Sequence, residues 1–319
     1  MKPKNCLIFG ASGQIGRNLI RKLTKNNYKV TAVTRNLHQK GYVLKTQANP
    51  GYIDIVQTSI FDEDKIRELM KEADICINLI GILYEKNKTN SFINIHERFP
   101  TFLAVLCNEY KIEKFIHLSA MGIEKAKDSS YAKSKLNGEI NIEKNFSRSV
   151  ILKPSIVYSV ADSFTTNFMT LLNRLPIFPL YYNGDTKFMP IHCSDLTEII
   201  YQVIFQNIRP GKIECIGNET LTLKEIIQKL LKLIEKKRLL LPMPIFLGKF
   251  TAFFFQLFPK PLITMDQLRL LKYDNVKSGR FKTNFDLNIP ALSNFDFEVK
   301  KYCYMWTEAG EFSQDKYKK

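Results

Sequence analysis

An apolar run, Cys6-Leu7-Ile8-Phe9, passes directly into Gly10-Ala11-Ser12-Gly13-Gln14-Ile15-Gly16 and then into a helix-compatible stretch from Arg17. Strand, glycine turn and helix start in that order narrow the choice of fold sharply, because this is how a chain cradles a dinucleotide pyrophosphate. Gly10 permits a sharp turn, Gly13 lets the backbone approach phosphates with no Cβ in the way, and Gly16 lets the helix pack closely on the strand. The free N–H groups around Ser12, Gly13, Gln14 and Ile15, with the positive end of the helix dipole, then face the anion.

From residue 1 to about 160, β-like runs alternate with helical patterns, which predicts a parallel sheet with helices on both faces. Strands are expected at Cys6 to Phe9, Lys29 to Thr34, Ile53 to Thr58, Asp74 to Leu79, Lys114 to Leu118 and Ser149 to Leu152. Helices are expected near Gln14 to Lys25, Glu63 to Glu72, Glu97 to Tyr110 and Tyr131 to Lys144. After Pro154 the texture changes, and Pro176, Pro179 and Pro190 punctuate shorter elements. The reading is an α/β protein: a doubly wound parallel sheet over 1–160 and a smaller, mainly helical region over 161–319. The second region is expected to lie over the carboxyl ends of the strands and to form one unit with the first. Helical patterns return at Ser194 to Gln206, Leu223 to Lys237 and Thr264 to Lys272, and the polar end, Gln314 to Lys319, is expected to fray.

At 319 residues, 45% of them hydrophobic, the chain can bury one large or two modest cores. Its six cysteines are scattered through apolar runs without a CxxC pair, and its four histidines lack ligand spacing. Buried thiols in a reducing compartment and no metal site are expected. The formal charge of +16 is spread along the whole chain, which argues against a nucleic-acid-binding arm. An anionic membrane face, an acidic protein complex or a Lys-rich genome would each account for it. No basic start followed by an apolar core and a cleavage site is read at the N-terminus.

The second strand ends Thr31-Ala32-Val33-Thr34-Arg35. An acidic residue just past that end would bond the ribose 2′-hydroxyl of NAD, whereas Arg35 favours a 2′-phosphate, so NADP(H) is expected over NAD(H). In Tyr131-Ala132-Lys133-Ser134-Lys135 the phenol and ammonium fall one helical turn apart on one face. A neighbouring cation favours phenolate, so Tyr131 is a candidate proton donor or acceptor near neutral pH, and Lys135 a candidate contact to the nicotinamide ribose.

The glycines at 10, 13 and 16, Asn78-Leu79-Ile80-Gly81 after the fourth strand, and Tyr131 with Lys135 resemble the short-chain dehydrogenase/reductase superfamily. A closer resemblance is to an atypical branch, the alpha-subcomplex subunit 9 family of respiratory complex I and its alphaproteobacterial relatives. It is carried by Ile77 to Glu85, Phe115 to Ala120, Tyr131 to Lys135 with Gly138-Glu139, Ile151 to Tyr158 and Pro190-Ile191-His192. Leu241 to Pro244 and Thr264 to Lys272 extend it along nearly the whole chain. The resemblance implies a Rossmann-like fold holding NADPH, with Asn78, Gly81, Lys135 and Pro154 among the cofactor contacts. It also implies Ser119 beside Tyr131 and Lys135 as a catalytic candidate, and a peripheral place beside a membrane quinone oxidoreductase. The first reading is therefore an NADP(H)-binding accessory or assembly component on the inner face of the membrane. The alternatives are a working reductase of a hydrophobic carbonyl or quinone-related substrate, a sugar-nucleotide epimerase or dehydratase, and a cofactor-sensing regulator without catalysis.

Three departures from the family pattern bear on the site. The fifth strand ends Ser119-Ala120-Met121, without the later hydroxyl of active reductases, so Ser119 is expected to point elsewhere. Thr58-Ser59 stands in place of Gly-Asp, and Ser159 in place of a glycine. Lastly, Phe246 to Phe258 is too short to span a bilayer and is bracketed by prolines at 242, 244, 259 and 261. Helical spacing would put Phe246, Phe250, Phe253, Phe254 and Leu257 on one wide face, with Lys232, Lys236, Lys237 and Arg238 adding charge upstream. An interfacial segment and a buried core helix are both compatible with that pattern.

Overall fold

The computed structural model describes residues 3–256, 258, 261–308 and 310. The chain runs β1 (Asn5–Phe9), α1 (Gln14–Lys25), β2 (Lys29–Thr34), α2 (Leu37–Lys45), β3 (Ile53–Gln57), α3 (Glu63–Lys71) and β4 (Ile75–Asn78). It continues through a π-helical segment (Ile93–Arg98), α4 (Phe99–Glu109), β5 (Lys114–Leu118), α5 (Ser130–Asn145) and β6 (Ser149–Pro154). These strands lie in the order β6-β5-β4-β1-β2-β3, every neighbouring pair parallel. Strand Gly211–Cys215 adds in parallel beside β6, and Lys282–Thr283 beside that, so two strands of the eight-stranded sheet come from beyond residue 160. The chain order of β1 to β6 follows the sequence reading closely; α2 and these two outer strands do not appear in it.

The period of two along a strand explains the two-sided core. Cys6 and Ile8 of β1 enter one cluster with Leu19, Ile20 and Leu23 of α1. Leu7 and Phe9 enter the opposite one with Ile66, Met70, Phe99, Leu103 and Ile142. With both faces covered, the inner strands are apolar at most positions, and their few polar residues, such as Asn78, His117 and Lys153, are buried with partners. On α1 the buried residues are Gly16, Leu19, Ile20 and Leu23, the i, i+3, i+4, i+7 stripe of a helix lying on a sheet.

Beyond β6 come α6 (Thr165–Arg174), α7 (Cys193–Phe205), α8 (Leu223–Leu233), α9 (Ile245–Phe255), α10 (Met265–Leu270) and α11 (Phe295–Lys300). Helix α7 packs on α1 and adds Leu196, Ile199, Ile200 and Val203 to the sheet's core. A separate apolar cluster joins Met169 and Leu172 of α6 to Ile226, Ile227 and Leu230 of α8 and to Phe295 and Val299 of α11. Residues after 160 thus contribute both to the large sheet and to a second core. The two meet at the carboxyl ends of β5 and β6, where the Asn275 side chain donates to the Met121 carbonyl at 2.7 Å and accepts from Ser155 at 2.6 Å.

Helix α5 presses against the π-helical segment with no room for a side chain between the backbones. A Cβ built on Gly138 would lie 1.9 Å from the His96 carbonyl oxygen. Gly138→Ala is therefore expected to push α5 off this segment and to destabilise the fold by about 1–3 kcal/mol, measured by urea unfolding.

Candidate functional site

At the end of β1 the chain turns at Gly10 with φ +82°, a backbone shape that disfavours any side chain. The turn is pressed on the chain leaving β4: a Cβ on Gly10 would meet the Leu79 carbonyl carbon at 3.1 Å and the Ile80 nitrogen at 3.2 Å. Gly16 sits tighter still, its would-be Cβ 2.5 Å from the Ala11 oxygen. Between them Gly13 caps α1 with extended backbone, no side chain caps the helix, and its first turn carries no acid. Gly13 N–H turns back to the Gly10 carbonyl at 3.1 Å, and no side chain caps the N–H groups that follow it at the start of the helix. Ser159, the residue in place of a family glycine, donates its hydroxyl to Gln14 Oε1 at 2.5 Å and ties the loop after β6 to this turn.

Arg35 lies just past β2, exposed, with Nη1 3.5 Å from Asn90 Oδ1 and no acidic partner among the described residues. Thr58, in place of the expected Gly-Asp, is buried after β3, with its hydroxyl 3.3 Å from the Asp62 carboxylate that caps α3.

Asn78 at the end of β4 is fully buried and works internally. Its Oδ1 accepts from Ile80 N–H at 3.1 Å, shaping the turn into Gly81, and its amide nitrogen lies 3.2 Å from His117 Nδ1. His96, carried by the π-helical segment, holds the next residue of the same loop: its Nε2 accepts from Ile82 N–H at 3.1 Å. Ser134 donates to the Tyr131 carbonyl at 2.8 Å, so the His96 Nδ1–H, 3.0 Å away, donates to Ser134. Burial first, then the Lys135 and His117 charges, push the His96 imidazole down to about 2, so it remains neutral.

Tyr131 and Lys135 come together on α5, one turn apart, as the spacing predicts. The Tyr131 ring meets His96 and Phe92 edge-on, centroids 5.3 and 5.9 Å apart. The surroundings of the phenol favour its neutral form over the phenolate. Burial, then the nearby Asp266 carboxylate, pushes the phenol up to about 12. The Lys135 ammonium is turned to the Leu118 carbonyl at 3.0 Å and stands 3.4 Å from the point a Cβ on Gly81 would occupy. Burial brings Lys135 down to about 8, against the opposing pull of Glu139.

Ser119, the remaining catalytic candidate, donates its hydroxyl to Glu139 Oε1 at 2.5 Å. That carboxylate also pairs with Lys153 and with Lys212, the latter at 3.1 Å, while Lys153 reaches Glu124 at 2.8 Å. Glu139 and Lys153 are completely buried. The hydroxyl is therefore engaged by an ion-pair network between α5 and β6 instead of being free to polarise a substrate carbonyl. Pro154 ends β6 beside this network, its carbonyl accepting from Met121 N–H at 3.0 Å.

Sequence reading overlooked His96, Asp266 and the pairing of Glu139 with Lys153. The last had a signal: a lysine inside the apolar run Val150-Ile151-Leu152 requires a buried counter-ion, and Glu139 follows Lys135 by one turn. His96 had none, because a π-helical turn shifts the side-chain register away from helical spacing.

A glycine turn opening an uncapped helix, joined across the sheet's carboxyl ends to a Tyr-x-x-x-Lys helix, defines a nucleotide-binding protein of the reductase and epimerase type. The chain belongs to the NAD dependent epimerase/dehydratase family, whose profile matches residues 6–214. Among named relatives, it is 25% identical over 302 residues to the mitochondrial NADH-ubiquinone oxidoreductase 40 kDa subunit of Neurospora crassa, covering 91% of this chain and 77% of that one. It is 28% identical over 226 residues to the mitochondrial NADH dehydrogenase (ubiquinone) 1 alpha subcomplex subunit 9 of Dictyostelium discoideum, covering 70% of this chain and 62% of that one. A crystal structure of UDP-glucuronic acid 4-epimerase from Bacillus cereus, in complex with UDP-glucuronic acid and NAD, shares the fold. Its TM-score is 0.70 at 19% identity, over 94% of this chain and 98% of that one.

Because Lys135 titrates near 8 in the fold and at its ordinary 10.5 when unfolded, the unfolded chain holds the extra proton between those values. Its contribution makes the fold more stable as pH rises through that window. Lys135→Met is expected to flatten this rise, measured as urea midpoints at pH 8 and pH 10.

Proposed function

We propose that the chain binds NADP(H) and serves as an accessory or assembly component of a complex I-like membrane quinone oxidoreductase. The observation that carries the cofactor reading is the uncapped N-terminus of α1 behind Gly10 and Gly13, with the exposed Arg35 just past β2 in reach of a 2′-phosphate. Ser12 to Gly16 would hold the diphosphate through backbone N–H groups, Arg35 the 2′-phosphate, Lys135 the nicotinamide ribose, and Gly81 and Pro154 would border the ring. NADPH, when bound, is a hydride donor; the chain's own groups favour holding it over turnover. The phenol of Tyr131 is pushed up, and the hydroxyl of Ser119 is engaged by Glu139. A ligand held only by the native state stabilises it by about 2.7 kcal/mol at a hundredfold excess over Kd.

The partner reading is supported by the names of the relatives and by α9. No helix among the described residues is long and apolar enough to cross a membrane. Yet Phe246, Phe250 and Phe253 are 68%, 62% and 59% exposed, which favours the interfacial reading over a buried core helix. Gly248 and Ala252 are the buried residues of α9, Gly248 against Tyr181. Lys249 on the helix and Lys232 and Lys237 upstream are exposed, while Arg238 is engaged by the Leu172 carbonyl at 2.8 Å and Lys236 by Glu308. Leu257, Pro259 and residues 311–319 lie outside the described residues. An exposed apolar helix with cations nearby suits the anionic inner face of a membrane beside that assembly.

Native isolation in mild detergent is expected to recover NADPH and subunits of a quinone oxidoreductase with the protein; recovery of neither would end this reading. Arg35→Glu is expected to weaken NADPH about 10–100-fold while sparing NADH. Phe250→Asp with Phe254→Asp is expected to release the protein from phosphatidylserine vesicles, read by sedimentation, without lowering its melting temperature.

A further inference from the structure

The first turn of α5 is organised by a residue from far along the chain. Asp266 Oδ1 accepts from Ser130 N–H at 2.8 Å, and Oδ2 accepts from Tyr131 N–H at 3.0 Å and from the Ser129 hydroxyl at 2.7 Å. The Ser129 oxygen in turn accepts from Ala132 N–H at 3.1 Å. Three consecutive donors that a helix leaves without internal partners are thus satisfied by one carboxylate and the hydroxyl it orients. The charge also sits at the positive end of the α5 dipole.

Asp266 is itself held in place. It lies in the first turn of α10, whose start is fixed by reciprocal bonds between Thr264 and Gln267. Arg269 stands 3.6 Å from Asp266 Oδ1, and Leu270 and Tyr273 pack with Ala132 and Tyr131. The carboxylate is therefore a fixed point from which α5 takes its starting direction.

We infer that Asp266 is a positioning residue for the nicotinamide side of the nucleotide site, setting where Tyr131 and Lys135 stand through its bonds to the Ser130 and Tyr131 backbone. The inference rests on the nucleotide binding proposed above. Without the carboxylate, Ser130 and Tyr131 N–H lose their partner, the first turn frays, and the face carrying Tyr131 and Lys135 loses its fixed approach to Gly81. The diphosphate cradle at α1 is built from other elements and stays intact. The proximity of Asp266 to the Tyr131 phenol supports the same assignment.

The full-length protein is titrated with NADPH and, separately, with adenosine 2′,5′-bisphosphate, which lacks the ribose assigned to Lys135. Asp266→Ala is expected to raise the NADPH Kd about tenfold, leave the bisphosphate Kd within about twofold, and speed amide hydrogen exchange at Tyr131. Asp266→Asn, which keeps a carbonyl acceptor, is expected to restore part of the NADPH affinity. An unchanged NADPH Kd in Asp266→Ala, or equal loss of both probes with an unchanged melting temperature, overturns the inference. Should Asp266→Ala fail to fold, Asp266→Asn decides: it supports the inference if NADPH alone weakens and overturns it if NADPH binds as before. Failure of the unaltered protein to bind either probe overturns the nucleotide reading and this inference together, whereas NADPH binding indifferent to Asp266 overturns the inference alone.

Discussion

The ion pair between Glu139 and Lys153 fixes the relation of α5 to β6, and most of the site follows from it. Both groups are completely buried, so each would carry a large desolvation penalty without the other. The pair holds because Ser119, Glu124 and Lys212 complete the network around it. Removing one member leaves a charge without compensation, which typically costs about 3–5 kcal/mol. The same carboxylate that anchors the helix draws the Ser119 hydroxyl under it and opposes the burial that lowers Lys135. Anchoring of the helix and engagement of the Ser119 hydroxyl are two effects of one arrangement.

The sheet was largely legible in the sequence because its physics is local. Strands buried on both faces are largely apolar, and the glycines at 10 and 16 answer steric demands set by neighbouring backbone. Helix α1 carries its stripe at the period of a helix on a sheet, and its observed bounds, Gln14–Lys25, are those of the reading. Strands Gly211–Cys215 and Lys282–Thr283 were not legible, because they lie far from β6 in the chain and join the sheet through tertiary pairing.

The site was legible as a set of positions and illegible as a set of states. Spacing placed Tyr131 and Lys135 on one face, but burial, which spacing does not report, pushes against the phenolate. Asn78 was marked as a cofactor contact, and its polar atoms turn out to shape the loop beside it and to meet His117. The aromatic segment at 246–258 allowed two readings because helical spacing gives an apolar face without saying what covers it. The exposure of its phenylalanines is what spacing alone does not report.

Helix α9 is joined to the start of α5 by very little chain. Gln256, at the end of α9, accepts from Met265 N–H at 3.2 Å, and Leu268 of α10 lies 3.5 Å from where a Gly248 Cβ would stand. One residue past Met265, Asp266 grips the N–H of Tyr131. The six residues of α10 thus touch both α9 and the first turn of α5, so the outward phenylalanines and Tyr131 are linked by contacts that do not pass through the sheet.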